Sequence, residues 1–133
     1  MNRVFVDTSG ILALLVSTEK NHAKAKRVFA KLEAMDATLH TTSYVLLELY
    51  ALIGRRFGLN ALSRFRTEMA PLFTVAWVDD DLHEAGLDFL FHEKTRRLSL
   101  VDAVSFVFMR RQGMFGAFAF DSHFKKFGFQ LLA

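Results

Sequence analysis

Four acids in this chain stand where they could do chemistry. Asp7 closes the apolar run Arg3-Val4-Phe5-Val6 and Asp121 closes Phe118-Ala119-Phe120. Glu48 lies within the apolar stretch Tyr44 to Ile53, and Asp102 follows Ser99-Leu100-Val101. Carboxylates gathered from separate segments are the ligands a hard divalent cation such as Mg²⁺ or Mn²⁺ takes, with water in its remaining positions. Held together, the four would carry −4, and each would resist ionisation unless a cation offset the charge. Setting them aside leaves ten acids against 17 Lys and Arg, a balance of +7, where the whole chain carries +3. An acidic pocket within a basic surface suits a polyanion handled through metal ions.

Each acid also has a plainer reading. Asp7 and Asp121 at strand-to-helix junctions are good N-caps. Asp102 completes a capping-box-like signature with Ser99, so service to a helix terminus alone would account for it. Glu48 has Tyr44, Val45, Ala51 and Leu52 as its helical neighbours. On that apolar face it must find a cation such as Arg55 or Arg56, reach water, or stay protonated.

Strands and helices must position these acids. Residues 3–6 read as a short buried strand, and a helix carrying Ile11, Leu12, Leu14 and Leu15 follows from about Ser9. Ala25, Val28, Phe29 and Leu32 recur at i, i+3, i+4 and i+7 on a second, amphipathic helix. A short strand at Leu39–Thr41 leads into a helix capped by Thr42 or Ser43; Gly58 breaks it before another helix from Leu59 to about Ala70, which Pro71 ends. Phe73–Val78 is a third strand, with Asp79, Asp80 and Asp81 opening a helix that reaches Arg97. A helix from Ser99 to Gln112 stops at Gly113, and strands at Phe115–Phe120 and Phe129–Leu132 flank a helical turn. Alternating strands and helices predict an α/β fold of one domain over residues 1–133, with a mostly parallel sheet covered on both faces. In such sheets the site lies beyond the carboxyl ends of the strands, where Asp7 and Asp121 fall.

Composition excludes much else. There is no cysteine among the 133 residues, which removes disulfide scaffolds, thiol catalysis and thiolate-bound metals and fits a reducing compartment. The apolar run Ile11–Val16 is too short to span a membrane and lacks a basic flank, so we expect a cytoplasmic protein. The five histidines show no His-x-x-x-His spacing, and no Gly-x-Ser-x-Gly, Gly-x-Gly-x-x-Gly or Gly-Lys-Ser/Thr loop occurs. An Asp-nucleophile phosphatase commonly needs a second acid two residues after the first, where this chain has Ser9. Asp79-Asp80-Asp81 is accounted for by a helix N-terminus. The basic doublets Arg55-Arg56, Arg96-Arg97, Arg110-Arg111 and Lys125-Lys126 lie near helix ends, as ordinary dipole partners do, although some lie close enough to the acids to grip phosphates. Fifteen phenylalanines exceed the need of a small core and predict an exposed apolar patch for a partner.

The segments Val-Phe-Val-Asp7-Thr-Ser-Gly, Thr-Ser-Tyr-Val-Leu-Leu-Glu48, Leu-Ser-Leu-Val-Asp102-Ala and Phe-Ala-Phe-Asp121-Ser-His-Phe, in this order and spacing, resemble a PIN domain of the VapC-type toxin branch over nearly the whole chain. The resemblance implies a three-layer α/β/α sandwich with a roughly five-stranded sheet. It also implies that Asp7, Glu48, Asp102 and Asp121 are the metal-binding and catalytic acids, with Thr8 or Ser9 as hydroxyls that order the site. One position departs: relatives often carry Thr or Ser two residues before the last acid, and here Ala119 stands there.

On this resemblance the chain is a Mg²⁺- or Mn²⁺-dependent endoribonuclease, dimeric, and restrained by a small VapB-like antitoxin. Its chemistry would be in-line hydrolysis of a phosphodiester with the metal stabilising charge on the phosphate oxygens. Because the 2′-hydroxyl is not the nucleophile, the site alone does not select RNA over DNA; RNA follows from the resemblance. The contrasting expectation is a catalytically silent RNA- or protein-binding module whose acids only cap helices.

Overall fold

The computed structural model describes residues 2–132. Five strands, β1 (Arg3–Val6), β2 (Thr38–Thr42), β3 (Phe73–Ala76), β4 (Gly116–Phe118) and β5 (Gln130–Leu131), form one sheet in the order β3-β2-β1-β4-β5. Every neighbouring pair is parallel, including Phe5 beside His40 on one flank and Phe5 beside Ala117 on the other. The helices are α1 (Thr8–Leu15), α2 (His22–Ala34), α3 (Ser43–Arg64), α4 (Asp80–Glu93), α5 (Leu100–Gln112) and the short α6 (His123–Lys126).

The chain runs from β1 outward to β2 and β3, then crosses to β4 and β5 on the opposite flank. Right-handed crossovers therefore put α1–α3 on one face and α4–α6 on the other. Side-chain alternation in the strands agrees. Phe118 turns toward α2, where it meets Phe29, whereas Phe5 turns the other way and meets Phe108 of α5 and Phe124 of α6. This is the expected three-layer α/β/α sandwich.

Most of the phenylalanine load goes into this core. Phe5, Phe106, Phe118 and Phe124 are fully buried, and the Phe106 ring packs on Phe124, Phe127 and Phe129. Phe57, Phe91 and Phe115 remain on the surface. Among the described residues no helix is long and apolar enough to cross a membrane.

Several boundaries differ from the sequence expectation, each for a local reason. The helix α4 ends at Glu93 rather than Arg97, because Lys94 takes a left-handed conformation (φ 52°) and the Lys94 amide donates to the Leu90 carbonyl. Arg97 adopts a second left-handed conformation (φ 64°) in the loop before α5. β3 stops at Ala76, and the amide of Val78 instead donates to Ser43 Oγ. β4 stops at Phe118, and the Phe120 amide donates to Ser9 Oγ. The break at Gly58 is present as a kink with φ 88°, a conformation glycine adopts at no steric cost. After Arg64 the helical path continues through a π turn at Phe65–Met69 and a 3₁₀ turn at Ala70–Leu72 containing Pro71.

Candidate active site

The order of strands reverses between β1 and β4, which makes the crevice beyond their carboxyl ends the natural site of an open α/β sheet. Asp7 leaves β1 into that crevice and Asp121 lies three residues beyond β4. The two strand ends are tied by backbone, the Asp7 amide donating to the Phe118 carbonyl at 3.1 Å. They approach this closely because residue 10 is glycine; a Cβ there would collide with the Phe118 carbonyl oxygen. Ser9 completes the tie, donating its hydroxyl to Asp7 Oδ2 at 2.6 Å and accepting the Phe120 amide at 2.9 Å.

Asp7 is the N-cap of α1, accepting the Ser9 amide at 3.2 Å, so the plain reading of this residue is true as well. Capping does not account for its burial. The side chain is almost wholly enclosed, and its carboxyl is pushed up to about 7 by that burial and by the nearby Asp102 and Asp121, against the hydrogen bonds from Ser9.

Asp102 sits in the first turn of α5. Its amide donates to Ser99 Oγ at 3.1 Å and the Ser99 amide donates to its Oδ2, the reciprocal box foreseen from the sequence. Its carboxyl also lies above the usual carboxylate range, through burial first and then through Asp121 and Glu48, with Ser99 acting the other way. Asp121 accepts the amide of His123 at 2.9 Å.

Glu48 lies on the first half of α3, whose start is fixed by Thr42 Oγ1 accepting the Val45 amide. It is half-buried. Among the described residues neither Arg55 nor Arg56 pairs with it, and both are exposed. Its partner is instead Thr8, whose hydroxyl donates to Glu48 Oε1 at 2.5 Å. The structure thus brings all four acids to one end of the sheet, linked through Thr8, Ser9 and mutual repulsion.

A fifth group belongs to this cluster. His123 Nδ1 lies 2.9 Å from Asp121 Oδ1, and one donor atom from each of Asp102, Asp121 and His123 falls within 4.8 Å of the others. The Asp121 contact has the distance of an ion pair but not the direction of a hydrogen bond, and buried Nδ1 has no hydrogen-bond partner among the described residues. Sequence spacing did not single out His123. The available signal was its place two residues beyond an acid at a strand end.

The donor set fits a hard divalent cation. Carboxylate oxygens dominate, Asp7 and Asp102 are held against ionisation by burial and by acidic neighbours, and a positive ion among them would remove that penalty.

The basic doublets divide. Arg111 pairs with Asp81 at 2.7 Å, and Arg110 donates to the Phe127 carbonyl and stacks over Phe89, so both are occupied structurally. Asp79 caps α4 by accepting the Leu82 amide, as expected of that acidic run. Arg96 and Arg97 are exposed, and among the described residues they make no side-chain hydrogen bond or ion pair.

Residues 4–130 match the PIN domain family model. The chain is 35% identical over 127 residues to the 23S rRNA-specific endonuclease VapC20 of two Mycobacterium tuberculosis strains, covering 95% of this chain and 95% of theirs. It also superposes on the crystal structure of Mycobacterium tuberculosis VapC20, described as a sarcin–ricin loop cleaving toxin. The TM-score is 0.81 at 34% identity, with 95% of each chain covered. From its strand order, its crevice and these likenesses, the chain belongs to the PIN domain family.

Proposed function

We propose that this chain is a Mg²⁺- or Mn²⁺-dependent endoribonuclease that hydrolyses 23S rRNA at the sarcin–ricin loop. In this reading it is the cytoplasmic toxin of a VapBC-type pair, restrained by a small antitoxin. The observation that carries the reading is the convergence of Asp7, Glu48, Asp102 and Asp121 at the β1/β4 crevice. The similarity to VapC20 over 95% of both chains supports the RNA and its loop.

Asp7, Asp102 and Asp121 would hold the ion, with Glu48 as a further ligand or as the base that orients water. When bound, a divalent ion supplies positive charge to the phosphate oxygens and acidifies the attacking water. The chain's own residues supply the geometry. Ser9 fixes the Asp7 carboxylate, the Ser99 box fixes Asp102, and Thr8 holds Glu48 Oε1, leaving Oε2 for water or metal. Burial of Asp7 keeps bulk water from the inner side of the site, where fixed charges act more strongly.

The antitoxin and a second copy of the chain would need apolar surface. Leu15 and Phe57 are exposed at a cleft of about 330 Å³ between α1 and α3, and Leu47 and Leu59 are exposed on α3.

The test is cleavage of ribosomal RNA by purified protein in Mg²⁺ or Mn²⁺, beside EDTA and Asp7→Asn controls. Metal-dependent cutting lost in both controls supports the reading. RNA binding unchanged by chelator, without cutting, would favour the silent binding module instead.

A further inference from the structure

We propose that His123 is a metal ligand of this site, giving a divalent ion between Asp102 and Asp121 one nitrogen donor and thereby a preference for Mn²⁺ over Mg²⁺. This rests on the metal-dependent reading above and adds a donor that the four acids do not include.

Three observations converge. The donor atoms of Asp102, Asp121 and His123 lie within 4.8 Å of one another, which one ion can span. Among the described residues His123 Nδ1 is buried yet makes no hydrogen bond, an uncommon condition for an imidazole nitrogen. Its distance to Asp121 Oδ1 is 2.9 Å, but its direction is turned aside from that oxygen. Two adjacent ligands of an octahedral ion, each about 2.1 Å from it, are separated by about 3 Å, with both lone pairs aimed at the ion and not at each other. The observed spacing and the missing hydrogen bond are what such a pair requires.

The arrangement is also locally built. The His123 amide donates to Asp121 Oδ1 at 2.9 Å, which fixes the carboxylate while the ring nitrogen beside it stays free of a hydrogen bond among the described residues. Phe124, the next residue, is fully buried against Phe5 and Phe106, which anchors the turn that carries the imidazole.

Imidazole nitrogen discriminates among cations. Mg²⁺ takes oxygen, demands near-ideal octahedral geometry and keeps its waters, whereas Mn²⁺, the first of the transition series and also at home among carboxylates, loses less by exchanging one oxygen for an imidazole nitrogen. A site of carboxylates alone would treat Mg²⁺ and Mn²⁺ more evenly.

The experiment is pulsed electron paramagnetic resonance of the full chain loaded with one equivalent of Mn²⁺, reading the ¹⁴N coupling of a coordinated imidazole. The coupling should be present in the parent protein and replaced by a ¹⁵N coupling after selective ¹⁵N-histidine labelling. It should be lost in His123→Asn and retained in His92→Asn, a surface control. Calorimetry should show Mn²⁺ affinity falling tenfold or more in His123→Asn, with Mg²⁺ affinity changed less than threefold.

Should His123→Asn fold poorly, substoichiometric Mn²⁺ added to the parent protein should broaden the ring resonances of His123 before those of His22, His40, His83 and His92. Bound Mn²⁺ without ¹⁴N coupling, coupling that persists in His123→Asn, or another histidine broadening first would overturn the inference while leaving the four-acid site standing. Failure of the parent protein to bind Mn²⁺ at all would overturn the metal-dependent reading itself.

Discussion

The Thr8 hydroxyl donates to Glu48 Oε1 at 2.5 Å, joining the first turn of α1 to the buried side of α3. The contact resolves how an acid survives among Tyr44, Val45, Ala51 and Leu52 without a cation: one oxygen is satisfied by a hydroxyl and the other is left for the site. It also makes Thr8 a positioning residue. Thr8→Val, which keeps the shape and removes the donor, should lower kcat by roughly 10–100-fold, the usual effect of losing a partner that orients a ligand. KM for RNA should change little, and Thr8→Ser should restore most of the rate. Equal rates for Thr8→Val and the parent would show that Glu48 needs no such support.

The buried carboxylates make the metal-free protein sensitive to pH. Asp7 ionises at about 7 in the folded chain against an ordinary 3.8, so between those values the folded form holds a proton the unfolded chain has released. Stability from this group is therefore highest at low pH and declines as pH rises toward 7. Asp102, raised by burial and its acidic neighbours, acts in the same direction. At pH 8 the charged, buried Asp7 costs on the order of 4 kcal/mol relative to a neutral group. Asp7→Asn should accordingly raise Tm above that of the parent at pH 8 while abolishing cleavage. The difference between the two proteins should shrink toward pH 4, and Mn²⁺ should stabilise the parent more than the variant. A parent protein at least as stable as Asp7→Asn at pH 8 without metal would contradict this electrostatic account.

Gly10 holds the two strand ends together. A methyl group there meets the Phe118 carbonyl oxygen, which also accepts the Asp7 amide. Gly10→Ala should destabilise the fold by about 1–3 kcal/mol, typical of overpacking, and reduce cleavage beyond what the remaining folded fraction explains. Denaturant titration beside a rate measurement separates the two effects.

Among the described residues Arg96 and Arg97 make no side-chain hydrogen bond, ion pair or cation–π contact, whereas Arg56 lies over Phe57 and Lys126 over Phe127. Replacing both by Gln should weaken RNA binding and lower the slope of log affinity against log salt by about 1.5, leaving Tm within about 2 °C. Arg111→Ala, which breaks the exposed pair with Asp81, should cost less than 1 kcal/mol and leave that slope unchanged. Reversal of the two patterns would move the RNA track to the α5 end.

Much of this arrangement is legible in the residues. Asp7 and Asp121 are readable because acids directly after apolar β runs mark the carboxyl edge of a parallel sheet. The box between Ser99 and Asp102, the stop at Gly113 and the break at Gly58 are written in local backbone chemistry. The end of α4 was not readable, since Lys94 and Arg97 take left-handed conformations with no glycine to announce them. β3 and β4 end early because the hydroxyls of Ser43 and Ser9, distant in sequence, capture the amides of Val78 and Phe120. The partner of Glu48 lay 40 positions away, and the place of His123 in the cluster depends on the turn after β4, which periodicity does not describe.

Cleavage of ribosomal RNA by four converging acids through a bound metal would leave a chemical signature in the ends it forms. The most direct measurement maps the ends formed when purified protein acts on 23S rRNA with Mn²⁺, beside Asp102→Asn. Metal-dependent hydrolysis at this site should give one dominant cut in the sarcin–ricin loop with ends free of 2′,3′-cyclic phosphate, absent in the variant and in EDTA. Cutting that persists in EDTA, or ends carrying cyclic phosphate, would contradict it.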